Sequence, residues 1–479
     1  MSTITPQPKP KQWEALAVVP LVAGLFWLWA GTGWWLFWGL LPGLLLVASG
    51  AALLLMPGDR RVQEYMALGG LLGMWLAFLA LFAGGLFAAV SAAVLSAISF
   101  VIAGRISLIH DPLAEDAPAP DLTPAVCAKA ALDEALLAYF VGSARLPDAD
   151  DVVRHVRDLE AFETVAIKEK WEQHPERLHH EPPVPEHSYA VAARTLGHTY
   201  EVVSYDSGFT PQIELPGAQE WMNHRGNSRS LAWVMRRPSP SHTWLLCVHG
   251  YRMGLAWMDF SLFRPGWLHH KLGLNLMMPV LPLHGPRRIG LRSGDGYLEG
   301  DPTVLFHAQT QALWDLRRAV RWIRAQDPGA RIGVLGFSMG GYNTALLAQY
   351  EPDLDFVIAG IPAVDYPYAI WRHVPPLHQR YYASQGLTQE RVHRLLHPVS
   401  PLARKPLVPE HARYIFAGSA DRVVVPEQPL QLARHWKVPV QWYAGGHLTF
   451  RNERVVRDHI EAAMTRAGWG IEPTTVATA

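Results

Sequence analysis

No charged side chain occurs between Glu14 and Asp59, and none between Glu64 and Arg105. A helix of about 40 residues, at ~1.5 Å per residue, is about twice as long as the ~30 Å hydrocarbon core of a bilayer. Each run is therefore predicted to cross a membrane twice, which makes residues 1–110 a membrane anchor of four transmembrane helices in two hairpins. Gly31, Thr32 and Gly33 supply the first turn, and Gly84 and Gly85 supply the second. Trp27, Trp29, Trp34 and Trp35 flank the first turn as an interfacial aromatic belt would. Lys9 and Lys11, Arg60 and Arg61, and Arg105 then share one side, which the positive-inside rule makes cytoplasmic. The expectation is a multi-pass protein of the cell membrane, with lipid as a partner and the rest of the chain facing the cytoplasm. Four apolar stretches in succession exceed the single h-region of a signal peptide. Without charged groups in the spans, transport is not expected.

The rest of the composition excludes several classes. With 42 basic and 42 acidic residues, the net charge of +0 gives no electrostatic basis for binding nucleic acid. Cys127 and Cys247 are too few for a disulfide framework, and Cys247 lies in an apolar run as a small core residue would. His174, His179, His180 and His187 cluster near prolines without the spacing of a metal site, so they read as surface residues. Residues 111–124, rich in Pro, Ala and acids, form a linker. Residues 125–199 read as a helical prelude and 469–479 as a disordered tail. Nothing in the sequence sets the oligomeric state.

From Tyr200 the pattern changes to short β-branched and aromatic runs: YEVVSY, SLAWVM and WLLCVH, then apolar runs beginning at Leu274, Ile332, Phe356, Arg413 and Val438. These alternate with helical stretches, one of them carrying Leu313, Leu316, Val320 and Ile323 inward with Arg317, Arg318 and Arg321 outside. Continuous apolar strands between helices predict an α/β domain over 200–468, a mostly parallel sheet covered on both faces. Within it, GFSMG (Gly336 to Gly340) fits the strand-to-helix turn that lifts a nucleophilic serine, Ser338, above a sheet. A serine needs a base and an orienting acid. Asp421 and His447 follow it in that chain order, each just beyond a predicted strand, with Asp365 a competitor for the acid. Met339 and Tyr251 are the expected backbone donors to an oxyanion, while His249 reads as a buttress of the loop before Tyr251. Residues 366–410 form an insertion whose Tyr366, Tyr368, Trp371, Tyr381 and Tyr382 either cap the serine or pack among themselves. Arg287 and Arg288 either reach a substrate anion or form a solvated surface pair.

HGY, GFSMGG, GSADRVVVP and GGH, in this order and after the expected strands, resemble the α/β-hydrolase superfamily. Within it the chain is similar to dienelactone hydrolase-like and prolyl-oligopeptidase-like serine hydrolases. The resemblance covers Tyr200 to Gly468 and implies Ser338 as nucleophile, Asp421 as acid, His447 as base, and Met339 and Tyr251 as oxyanion donors. It departs in having HGY where many relatives have HGG, and in its apolar N-terminal segments. The implied activity is carboxylic ester hydrolysis on a small-molecule or lipid-like acyl ester, through an acyl-enzyme and with no metal or organic cofactor. Ester is expected over peptide because no propeller domain precedes the sheet. Acyl transfer, peptide cleavage and a non-catalytic, membrane-tethered interaction module remain the alternatives.

Overall fold

The apolar runs form helices because a helix satisfies its backbone internally, without help from polar side chains. In the computed structural model, which describes residues 15–30, 33–55, 61–111, 114–238 and 241–470, they become α1 (Val18–Trp29), α2 (Trp34–Leu55) and α3 (Arg61–His110). Lys9, Lys11, Gly31, Thr32, Arg60 and the tail beyond residue 470 lie outside the described residues. The chain breaks inside α3 at Gly85, whose φ of 75° and ψ of 172° are not helical. The two halves fold back on each other, with Gly70 against Phe100 and Gly73 against Ser96. Likewise α1 and α2 run antiparallel, Gly24 meeting Val47 and Gly50 meeting Leu21. By length and composition α2 and α3 could cross a membrane. The 12 residues of α1 fall short of the ~20 that a span requires.

The expected tryptophan belt is split. Trp27 and Trp35 are fully buried in this bundle, stacked with ring centroids 5.1 Å apart. Their indole N–H groups have found partners: Trp35 donates to the Trp27 carbonyl and Trp27 to the Ser96 hydroxyl, each at 2.9 Å. Trp29 and Trp34 remain exposed, as belt residues would be. Packing won over interface preference where Gly39 and Gly73 left room for the Trp27 ring.

The chain divides into two compact units. The first holds Met1–Ser143, Gly418–Glu427 and Trp442–Glu453. In it α4 (Pro124–Ser143) packs on α3, and glycine at 104 lets the α3 backbone approach the Cys127 carbonyl. The second holds Ala144–Ala417, Gln428–Gln441 and Arg454–Ala479. It opens with α5 (Ala149–Glu169), which starts at a capping box between Asp148 and Asp151.

Strands begin earlier than the sequence suggested, with β1 (Tyr189–Thr195) pairing antiparallel to β2 (His198–Asp206), so the end of the predicted helical prelude is sheet. The further strands are β3 (Arg229–Met235), β4 (Thr243–Val248), β5 (Asn275–Val280), β6 (Arg331–Phe337), β7 (Phe356–Gly360), β8 (Arg413–Gly418) and β9 (Val440–Tyr443). They form one sheet in the order β1-β2-β3-β5-β4-β6-β7-β8-β9. Pairings from β1 to β5 through β3 are antiparallel, and β5-β4-β6-β7-β8 are parallel. Intervening helices include α6 (Ala218–Asn223), α7 (Ala256–Phe263), α8 (Pro302–Gln326) and α9 (Met339–Leu347). After β7 come α10 (Tyr366–Trp371), α11 (Pro376–Ser384) and α12 (Gln389–Leu396), and then α13 (Glu427–Trp436) and α14 (Arg454–Arg466).

Helix α8 is longer than its apolar stripe suggested, because Asp301 caps it through the Thr303 amide at 2.9 Å. Its apolar face is buried as expected, but so are Arg317 and Arg318 on the other side. Arg317 pairs with Glu351 at 2.9 Å and donates to the His180 carbonyl at 3.0 Å, so the proline-rich strap around His180 covers a face that periodicity alone assigns to water.

Candidate active site

Ser338 stands at the turn from β6, the parallel strand between β4 and β7, into α9. Its φ of 58° and ψ of −118° are strained for a residue with a side chain, at a cost of about 1–3 kcal/mol. Two glycines make the turn possible: a Cβ at Gly336 would strike the Gly340 carbonyl and Thr344 Oγ1, and one at Gly340 would strike the Val248 carbonyl. The Ser338 amide donates to the Gly360 carbonyl at 2.9 Å and its carbonyl accepts from Tyr342 at 3.0 Å. The backbone is thus held from both sides while the residue stays half-buried, open to a reactant.

Met339 is the first residue of α9, so its N–H belongs to the turn that has no acceptor within the helix. The loop that carries Tyr251 runs beside the serine, since a Cβ built on Gly250 would lie 3.7 Å from Ser338 Cβ. His249 supports this loop from within. Its Nε2 accepts from the Leu281 amide at 3.1 Å, which leaves Nδ1 to donate to the Gly250 carbonyl at 2.8 Å. Burial pushes the imidazole down to about 4, so it stays neutral in the tautomer these bonds require.

Asp421 and His447 lie together in the first unit, on the segments that follow β8 and β9. His447 Nδ1 donates to Asp421 Oδ2 at 2.8 Å. The other oxygen, Oδ1, accepts from the amides of Val423 at 3.0 Å and Val424 at 2.8 Å, fixing the carboxylate in its plane. Burial opposes a charge on the imidazole, but the charge and hydrogen bond of Asp421, with Asp133 behind, outweigh it and raise the pKa above the ordinary 6.5. Asp365 has a different occupation: it caps α10 through the Tyr368 amide at 2.8 Å and lies 3.0 Å from His393.

The sequence did not single out Asp133. It is fully buried on α4, where it accepts backbone bonds from Arg422, His447 and Leu448 at 3.1, 2.6 and 3.1 Å. The available signal was an acidic pair, Asp133 and Glu134, inside a helix that otherwise buries Val126, Ala130, Ala131, Leu137 and Ala138.

Both readings of Arg287 fail. It is fully buried and pairs with Asp315 at 2.7 Å while donating to the Val280 and Asn227 carbonyls at 2.8 and 3.1 Å. Arg288 alone is at the surface. Arg287→Ala should therefore destabilise the fold by about 3–5 kcal/mol, because it strands the Asp315 carboxylate without its cation. Thermal unfolding would show this as a large fall in Tm, whereas Arg288→Ala should leave Tm within a degree or so. Of the insertion's rings, Tyr366 stacks on Tyr342 with centroids 4.4 Å apart and Tyr382 donates to the Pro147 carbonyl at 3.0 Å, so these two serve packing.

The prolyl oligopeptidase family matches residues 305–450, a span that contains Ser338, Asp421 and His447. Uncharacterized protein Rv2627c of Mycobacterium tuberculosis is 38% identical over 308 residues, which are 64% of this chain and 74% of that protein. A second protein of that species, Uncharacterized protein MT2702, is 42% identical over 275 residues, 57% of this chain and 66% of its own. Among solved structures, an acetyl xylan esterase from Paenibacillus is 16% identical with a TM-score of 0.42, over 63% of this chain and 93% of its own. An acylaminoacyl peptidase of Pyrococcus horikoshii is 11% identical with a TM-score of 0.35, over 60% of this chain and 43% of its own. Likenesses this low bear on neither substrate nor mechanism.

Proposed function

We propose that this chain, which belongs to the α/β-hydrolase superfamily and to one family with Rv2627c, is a membrane-anchored serine hydrolase that cleaves carboxylic esters. The observation that carries the reading is the strained backbone of Ser338 at the turn between β6 and α9, the conformation that lifts a nucleophilic serine above a sheet. In the proposed reaction Ser338 Oγ bonds to the ester carbonyl carbon as its proton passes to His447 Nε2. The Met339 and Tyr251 amides hold the oxyanion. The alkoxide leaves with the proton from His447, and water, activated by the same imidazole, releases the acid and restores the serine. Asp421 keeps the tautomer that leaves Nε2 free to accept. These steps draw on no metal or cofactor.

Anchoring is supported by the outer face of the helical bundle, where Trp75, Phe78, Phe82, Leu86 and Phe87 are exposed in succession. A lipid-like acyl ester would reach such an enzyme within the bilayer surface. The positive-inside pattern supports a hydrolase on the cytoplasmic side, and protease protection in sealed inverted vesicles should then leave it digestible. A fluorophosphonate probe should label the detergent-solubilised protein at Ser338, and turnover should be measured on short-chain, long-chain and phospholipid esters. Failure to label in several detergents would sink the proposal. The match to the prolyl oligopeptidase family favours a second reading, peptide cleavage by the same groups. Peptide anilides turned over faster than esters would select it.

The raised pKa of His447 fixes a pH dependence. The base works only when neutral, so kcat/KM should rise with pH through a midpoint above 6.5. A pH–rate profile with its acidic limb below 6.5 would exclude His447, in this environment, as the base.

A further inference from the structure

We propose that α4 is a positioning element of the active site, and that Asp133 is the positioning residue that fixes the loops bearing the acid and the base. The proposal rests on the serine hydrolase reading above. It starts from one carboxylate with three backbone donors. Asp133 Oδ2 accepts from His447 at 2.6 Å and from Arg422 at 3.1 Å, and Oδ1 accepts from Leu448 at 3.1 Å. Arg422 directly follows Asp421, so a single buried side chain grips the base itself on one segment and the neighbour of the acid on the other. Without it, three amides would lose their acceptor, and those of Arg422 and His447 would do so in the buried interior, at a desolvation cost that favours rearrangement of the loops.

The neighbouring residues of α4 grip the same two segments. Lys129, one turn before Asp133, donates to the Ala444 carbonyl at 2.9 Å and pairs with Glu453 at 2.6 Å. Glu134 accepts from Arg422 Nε at 3.1 Å and from Ser107 of α3, and Arg422 also pairs with Asp111. Shape agrees with charge, for a Cβ on Gly446 would collide with the Asp133 carboxylate and with the Lys129 carbonyl. Because α4 packs on α3 through Gly104, the apolar helices and the two loops form one compact unit. The helical region is thus part of the catalytic apparatus rather than only its tether.

The charges around Asp133 give the test its distinctive readout. Burial, and next the like charge of Asp421, push its carboxyl up to about 7, against the pull of His447 and of the backbone donors. Lys129, Glu134, Arg422, Tyr443 and Glu453 also lie on the segments packed here, with Asp111 paired to Arg422 and Cys127, Glu427 and Arg451 further along the same segments. In return the Asp133 carboxylate helps to hold a proton on His447. Asp133→Asn in the full chain keeps the shape, removes the charge and sets an amide N–H₂ against backbone donors. It should lower kcat by roughly 10²-fold with KM little changed, and move the acidic limb of the pH profile to lower pH. Hydrogen exchange should rise in the segments 418–427 and 442–453 and stay unchanged in β6 and α9. Should D133N fail to fold, Gly446→Ala, whose methyl group displaces the carboxylate while the charge of Asp133 is kept, should give the same loss in kcat and the same local exchange. A folded D133N with wild-type kcat, an unmoved acidic limb and unchanged exchange overturns the proposal. The exchange readout does not depend on turnover. Absent fluorophosphonate labelling of the wild-type chain therefore counts against the hydrolase reading alone, while the exchange pattern still decides the role of Asp133.

Discussion

Ser338→Ala should lower kcat for ester hydrolysis on the order of 10⁶-fold and abolish fluorophosphonate labelling, with Tm little changed. The size follows from the way such groups act as one unit. Without Oγ there is no atom to form the acyl-enzyme, and the imidazole and oxyanion donors have nothing to activate; what survives is slow attack by water in a polarising site. Alanine faces the same positive φ as serine, so the strain at the turn remains and the fold has no new reason to fail. The prediction separates the enzyme from the interaction-module alternative. Titrating purified S338A against a p-nitrophenyl ester, with circular dichroism to verify folding, would decide it. Ester turnover that survived the substitution would remove Ser338 from the reaction.

How much of this was legible in the sequence depended on how local the cause was. The β6–Ser338–α9 turn was readable because its determinants, Gly336, Gly340 and the apolar strand, all lie between Arg331 and Gly340. The parallel strands were readable from continuous apolar runs for the same reason. Strand β1 was not, since YAVAART is alanine-rich and exposed, and its conformation comes from pairing with β2 rather than from its own propensity. Arg287 looked like a surface or substrate-facing residue because the partner that allows its burial, Asp315, lies 28 positions away. Asp133 was still less accessible. The amide of His447 that it holds is 314 residues distant, and no periodicity in α4 announces which residue its buried acids will meet.

The second large effect concerns the choice of acid, where two aspartates competed and the geometry distinguishes them. Asp421→Asn should lower kcat by about 10⁴-fold, whereas Asp365→Asn should leave it within a few-fold of wild type. At position 421 the two amides of Val423 and Val424 both require an acceptor at Oδ1. An asparagine there must place its oxygen on that side, which forces its N–H₂ toward His447 Nδ1. The imidazole can then meet it only as an acceptor at Nδ1, so its proton moves to Nε2, and the nitrogen that should receive the serine proton is already occupied. The loss would appear in kcat rather than KM, because substrate contacts are untouched. At position 365 the same exchange replaces one good N-cap by another, costing a few tenths of a kcal/mol at most. Steady-state kinetics on both variants supply the check, since a loss confined to D365N would transfer the acid role to that residue. The acidic limb offers a second, independent sign: with the Asp421 charge gone, the partner that raises the His447 pKa is removed, and the residual activity of D421N should titrate at lower pH than wild type.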